Sequence, residues 1–142
     1  MENTISNTFN WPIRIYYEDT DSGGVVYYAN YLKYMERART EWLRSYDVQQ
    51  DQLREQFGVI FAVRHVEIDY LLPAKFNDEI VVTATLNKKG KASITFEQTV
   101  ARDFEGDEKL LAKAKIKIAC LDAGTFKPAP IPTVILEKLI GE

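Results

Sequence analysis

Along residues 11–19, WPIRIYYED, the apolar Ile13, Ile15 and Tyr17 alternate with Arg14, Tyr16 and Glu18. A period of two is that of a strand with one buried face, and Pro12 is tolerated at its start. From about Val26 to Tyr46 the period lengthens. Tyr28, Tyr31, Met35, Ala38 and Trp42 recur at threes and fours while Lys33, Arg37 and Glu41 fall on the other side, which predicts a long amphipathic helix. Residues 47–57 are polar and read as a short helix or a loop. GVIFAVRHVEIDYLL then predicts a long strand closed by Pro73. Its apolar parity switches from Val59, Phe61 and Val63 to Val66, Ile68 and Tyr70, so a bulge or a change of exposure is expected between the two sets. DEIVVTATLNKKGKASITFEQTVARD holds two alternating runs around NKKGK, with Gly90 suited to the turn, and FEGDEK leads into LLAKAKIKIACL. These three runs predict a meander. Beyond Cys120, Pro128, Pro130 and Pro132 demand an extended tail, with one short apolar piece, VILEKLI, at its end.

The predicted order is strand, helix, then four strands: an α+β domain in which one helix packs on a five-stranded antiparallel sheet. The whole of residues 1–142 reads as that one domain, with a short N-terminal extension over 1–10 and an extended Pro-rich tail over 122–142. Lys113, Lys115 and Lys117 have the opposite parity to Ala114, Ile116 and Ile118, which puts the lysines on the outer face of the sheet or at an edge. A small sheet also has open edges, and pairing with a second copy is a common way to cover them. A dimer or larger assembly is expected.

Composition narrows the function. A net charge of −3 gives no footprint for nucleic acid, although a local basic cluster could hold a phosphorylated ligand. A single cysteine, Cys120, excludes an internal disulfide and a multi-cysteine metal site, and it fits a reducing compartment. The N-terminal residues lack the basic start and apolar stretch of a secretory signal, and no run of 18 apolar residues exists, so a cytoplasmic protein without a transmembrane segment is expected.

The chemistry concentrates in YYEDTDSGGVVYYANYLKYMERARTEWL, residues 16–43. A helix start carries unpaired N–H groups and a partial positive charge, which suits a negative oxygen. Gly23 and Gly24 allow close backbone approach, and a carboxylate from Asp19 or Asp21 supplies a base or nucleophile beside an oxyanion stabiliser. A thiol leaves readily as thiolate, so a site with these two elements and no acid for the leaving group suits thioesters. A serine-histidine-acid triad is excluded in practice: the one histidine, His65, lies far along the chain and no G-x-S-x-G stretch is present. The competing reading is that Asp21 or Ser22 only caps the helix.

WPIRIYYEDTDSGGVVYYANYLKYMERARTEWL, supported by FAVRHVEIDYLLPAKFNDEI, resembles the signature of the hotdog-fold 4-hydroxybenzoyl-CoA thioesterase superfamily, and within it looks most like the acyl-CoA thioesterases associated with the Tol-Pal envelope system. The resemblance runs from Trp11 to about Pro132. It implies a central helix wrapped by the sheet, dimers with active sites at their interface, and often tetramers. It assigns catalysis to Asp21, the oxyanion-holding backbone N–H to Tyr28, and a structural role to Asp19. One departure exists: the Tol-Pal-associated enzymes usually have histidine where Tyr28 stands, whereas hydroxybenzoyl-CoA enzymes can have tyrosine. A backbone donor survives that exchange, while any work done by the imidazole does not.

Around this pair, Gly24, Val25, Val26, Tyr27 and Tyr31 are candidates for the substrate wall. Lys88, Lys89 and Lys91, at a turn where the family often places basic residues, are candidates for the phosphates of coenzyme A. Glu36 reads as a structural ion-pair partner of Arg37, Arg39 or Arg64, and His65 as a surface or interface residue. No metal site or separate cofactor is expected; coenzyme A enters only as part of the substrate. The leading expectation is an acyl-CoA thioesterase. The rivals are an acyl carrier protein thioesterase with the same site, and a non-catalytic module that binds acyl-CoA or proteins of envelope and lipid synthesis.

Overall fold

A computed structural model describes residues 8–104 and 107–140. In chain order it contains β1 (Thr8–Arg14), α1 (Asn30–Ser45), α2 (Gln50–Phe57), β2 (Val59–Tyr70), β3 (Glu79–Lys89), β4 (Ser93–Phe104), β5 (Asp107–Asp122) and α3 (Thr133–Ile140). The five strands form one antiparallel sheet in the order β1-β3-β4-β5-β2. The helix-period stripe is what the sheet covers: Tyr31, Tyr34, Met35, Ala38, Trp42 and Leu43 are buried on α1, in one core with Ile80, Val82, Phe96, Val100 and Ile116. Trp42 meets Phe96 edge to face, with ring centres 5.0 Å apart.

The expected parity switch in β2 is a break in register between Val63 and His65. Before it Val59 is buried and Phe61 half-buried; after it Val66 and Ile68 turn inward, so one extra residue lets both halves of the strand keep apolar side chains on the core face. Lys113, Lys115 and Lys117 are exposed while Ile116 and Ile118 are buried, as their parity predicts. On the outer face Lys115 stands between Glu67 and Glu97, and Lys113 opposite Asp69.

Four boundaries differ from the reading of the sequence. β1 starts at Thr8, so residues 8–10 of the expected extension are strand, paired through Thr8 opposite Thr85; residues 1–7 lie outside the described residues. The same strand ends at Arg14, because Asp19 Oδ2 accepts the Tyr16 N–H at 2.8 Å and folds Tyr17–Asp19 into a 3₁₀ turn, which leaves Tyr17 exposed rather than inward. α1 begins at Asn30, not near Val26, because Val25 and Val26 are held extended by bridges to Lys75 and Thr20, and the Val26 N–H donates to the Ala74 carbonyl at 2.8 Å. The tail ends in α3 rather than staying extended: the Pro132 carbonyl accepts the Ile135 and Leu136 N–H groups, and Ile131, Ile135 and Leu139 are buried. A proline just before a helix costs it no hydrogen bond. The polar stretch before β2 is the helix α2, closed by Gly58 at φ +68°. Part of the FEGDEK turn lies outside the described residues.

Arg39 is the largest departure in burial. It faces the core, 8% exposed, and its Nη1 donates to Gln98 Oε1 at 3.0 Å. Gln98 Nε2 in turn donates to the carbonyls of Met35 at 3.1 Å and Thr83 at 3.0 Å. Burial lowers the Arg39 pKa to about 10, with Glu36 opposing the shift. Replacing Gln98 by Met keeps the volume but strands a buried guanidinium and two carbonyls. Urea unfolding of Gln98→Met is expected to show a loss of about 2–3 kcal/mol.

Candidate active site

The loop between β1 and α1 is tied together through Asp19. Its carboxylate holds the Tyr16 N–H, and its carbonyl accepts both the Tyr27 N–H at 3.2 Å and Asn30 Nδ2 at 2.9 Å. One residue thus binds the loop's entry, its exit and the first residue of α1. Inside the loop the Asp21 N–H donates to the Val25 carbonyl at 2.9 Å, and the Asp21 carbonyl accepts the Gly24 N–H at 3.0 Å. The Asp21 side chain accepts the Gly23 N–H through Oδ1 at 2.8 Å and is exposed, which leaves Oδ2 open. Gly24 has φ +80°, a conformation that disfavours any side chain.

At the mouth of α1 the carbonyls of Tyr27, Tyr28 and Ala29 accept the N–H groups of Asn30, Tyr31 and Leu32. Among the described residues the Tyr28 and Ala29 N–H groups have no partner, and no side chain caps the helix. The capping reading of Asp21 and Ser22 therefore fails: the Asp21 carboxylate serves its own loop and not the helix. Tyr28 lies two residues before the first helical one instead of inside the helix, yet its free N–H still belongs to the opening turn. The Thr20–Val26 bridge closes the loop that carries Asp21, and Tyr28 follows it two residues on.

The remaining candidates divide. Gly24 and Tyr27 are exposed beside the loop, Val25 is half-buried opposite Lys75, and Val26 is in the core. The Tyr27 and Tyr28 rings meet at a tilt of 45° with centres 4.9 Å apart, and Tyr28 meets Tyr70 edge to face at 5.7 Å. Tyr31 lies beneath them, buried, its hydroxyl accepting the Ala74 N–H at 3.0 Å. Lys88, Lys89 and Lys91 are exposed, but at the other end of β3 from Glu79, which pairs with Arg14 near the loop. Ten residues of strand separate the two ends by about 33 Å, so one chain does not bring these lysines to Asp21. Glu36 accepts the Thr40 hydroxyl and forms none of the expected arginine pairs within ion-pair distance among the described residues. His65 pairs with Glu67 on the surface at 3.0 Å. Among the described residues no group of three His, Cys, Asp or Glu could hold a metal, and no helix is long and apolar enough to cross a membrane.

Two residues at this site were not among the candidates read from the sequence. Tyr70 arrives from the far end of β2, and only the fold places it against Tyr28 and Tyr31. Tyr34 has a fully buried hydroxyl without a hydrogen-bond partner among the described residues, and burial together with the neighbouring Asp19 carboxylate raises its pKa. Its place in the stripe was readable from the helical period; its closeness to Asp19 was not.

A single long helix wrapped by this five-stranded sheet, with an acidic loop at the helix mouth, defines a hotdog-fold protein. Residues 16–139 match the family described as the thioesterase-like superfamily, and the chain belongs to it. It is 43% identical over 128 residues to the acyl-CoA thioesterase YbgC of Haemophilus influenzae, covering 90% of this chain and 91% of that protein. The acyl-CoA thioester hydrolase YbgC of Escherichia coli O157:H7 is 37% identical over 130 residues, covering 92% and 94%. The structure of 4-hydroxybenzoyl-CoA thioesterase with 4-hydroxybenzoyl-CoA superposes with a TM-score of 0.86 over 92% of this chain and 97% of that one; at 17% identity it speaks for the fold.

Tyr31→Phe leaves the buried Ala74 N–H without an acceptor where the chain braces Val26. Thermal or urea unfolding should register a loss of about 1–3 kcal/mol. An unchanged midpoint would show that the Tyr31 hydroxyl does not hold this brace.

Proposed function

We propose that this chain hydrolyses acyl-CoA thioesters at the junction of the acidic loop and α1, with Asp21 as nucleophile or general base and the Tyr28 N–H holding the developing oxyanion. The observation that carries the reading is the unpaired Tyr28 N–H at the start of a 16-residue helix, beside a loop whose Asp21 keeps one carboxylate oxygen open. Membership of the thioesterase-like superfamily and relatives named for acyl-CoA thioester hydrolysis support the same reaction. Water adds across the carbon–sulfur bond: the acyl carbon gains oxygen, and the sulfur leaves as the thiolate of coenzyme A. A thiol of pKa about 8.5 needs little help in leaving. A site without a general acid is therefore adequate. Charge grows on the carbonyl oxygen in the transition state, where a fixed backbone donor stabilises it more than it stabilises the ground state.

Gly24, Val25, Val26 and Tyr27 form the proposed wall around the thioester, with Tyr31 beneath. The exposed Lys88, Lys89 and Lys91 suit the phosphates of coenzyme A held by another copy of the chain, since their own loop is about 33 Å away along β3. That distance supports a homo-oligomer, a dimer or the tetramer expected from the resemblance, in which one copy's lysines serve a neighbour's site. A cytoplasmic location, a link to envelope or lipid-synthesis proteins and the use of acyl carrier protein thioesters belong to the same proposal and rest on the resemblance alone.

Thiol release from a panel of short, long and aromatic acyl-CoAs tests the reading. Asp21→Asn should lower kcat by about 10²–10⁴. Tyr28→Pro, which removes the N–H, should lower it by about 10²–10³, whereas Tyr28→Phe should stay close to wild type. Equal rates for all four proteins would remove both residues from the chemistry. In a single turnover in ¹⁸O-water, label in the Asp21 carboxylate marks a mixed anhydride opened at the aspartyl carbon; where only the product is labelled, rapid-quench mass spectrometry for an acyl group on Asp21 separates an anhydride opened at the acyl carbon from a general base.

A further inference from the structure

We propose, resting on the thioesterase reading above, that Tyr34 is a positioning residue of the acidic loop: its hydroxyl donates to the Asp19 carboxylate only when the loop closes on a bound thioester, and through Asp19 it sets Asp21 against the Tyr28 N–H. Tyr34 stands on α1, 1% exposed, and its hydroxyl oxygen has no hydrogen-bond partner among the described residues. Such a group opposes folding, because water has been removed from it and nothing returned. An unpaired buried hydroxyl is uncommon enough to require a physical reason. Burial first, and then the neighbouring Asp19 carboxylate, raises its pKa above the ordinary tyrosine value, so the hydroxyl keeps its proton and remains a donor. The two groups are neighbours without the geometry of a hydrogen bond.

Asp19 lies over the face of α1 that carries Tyr34, since Asn30, one turn earlier, donates Nδ2 to its carbonyl at 2.9 Å. An ionised carboxylate has about four acceptor sites. Among the described residues that of Asp19 takes the Tyr16 N–H, at 2.8 Å through Oδ2, and has capacity for a further donor. The helix side of this pair is fixed: the Tyr34 ring packs edge to face on Tyr31 at 6.2 Å, and the Arg37 guanidinium lies over it at 6.0 Å. The loop side is free to move. Asp19 ends a short 3₁₀ turn and leads into Asp21, Ser22, Gly23 and Gly24, all exposed. An O–H···O bond to an ionised acceptor is among the stronger hydrogen bonds, and forming it draws Asp19 toward α1. With Asp19 move Asp21, two residues on, and the Tyr27 N–H that the Asp19 carbonyl holds at 3.2 Å, directly before the oxyanion donor. One bond therefore adjusts both partners of the chemistry. A contact made only in the reacting state raises kcat and leaves substrate binding alone.

The test is thiol release and urea unfolding of wild type, Tyr34→Phe, Asp19→Asn and the double variant. Tyr34→Phe keeps the ring and removes only the donor, so its unfolding midpoint should equal or exceed that of wild type, while kcat falls about 10–100-fold and KM changes less than about threefold. In the Asp19→Asn background the same change should lower kcat less than about twofold, because the acceptor is already weakened. A lower midpoint for Tyr34→Phe would show that the hydroxyl is partnered in the free protein, by water or by Asp19. A kcat within about twofold of wild type would show that it does not position the loop. Either result overturns the proposal and leaves the hydrolase standing. Hydrogen exchange keeps the two readings apart: with the thioether analogue of butyryl-CoA, the amides of residues 21–27 should exchange at least about fivefold more slowly in wild type but not in Tyr34→Phe. Wild type that releases no thiol overturns the hydrolase, and exchange then decides Tyr34 alone. Protection confined to wild type upholds the closure; equal or absent protection overturns it.

Discussion

Gln98 fixes the distance and the register between α1 and the sheet. It takes a hydrogen bond from Arg39 and gives two, to the carbonyls of Met35 on the helix and Thr83 on β3, all inside the core. Apolar packing alone tolerates sliding by a fraction of a turn, but a buried three-way hydrogen bond does not, because each displaced partner is left unsatisfied. The position of the helix mouth follows from this pin. Tyr28 and Ala29 present their N–H groups where the sheet and loop require only if α1 cannot move along its axis.

Asp19 and Asp21, two positions apart, illustrate how environment divides work between like residues. Asp19 has its carboxylate and its carbonyl both committed to backbone and side-chain donors of the loop and helix. Asp21 has one carboxylate oxygen committed and one open to solvent. The first builds the loop; the second is left with capacity for chemistry. Tyr31 and Ala74 brace the opposite wall, so the loop is held on both sides by bonds that do not involve Asp21.

The elements were legible wherever a single face decides burial. The switch between Val63 and Val66 announced the irregularity of β2, and the alternating lysines of β5 announced its wet side. Legibility failed where a distant partner overrides local pattern. Val26 and Tyr28 fit the helical period, yet Ala74 and Lys75 hold Val25 and Val26 extended and Tyr28 falls in the turn before the helix. Arg39 looks like a surface charge until Gln98 arrives from 59 residues away. Three prolines predicted an extended tail, although the last of them stands directly before a helix. Of the site, the acidic loop and the helix mouth were readable as neighbours in sequence; the approach of Tyr70 and the remoteness of the β3–β4 lysines were readable only in three dimensions.

The strand order also sets an order in time. β3, β4 and β5 are joined by short turns, whereas β2 finds its partner only after both intervening strands are made, with Val59 opposite Asp122 and Tyr70 opposite Ala112. Closing so long a loop before any contact rewards it is entropically slow, while the meander closes locally. During synthesis β2 therefore leaves the ribosome without a neighbour, and its edge of the sheet comes into being only when β5 is complete. The β2–β5 seam is the last of the sheet's four to close.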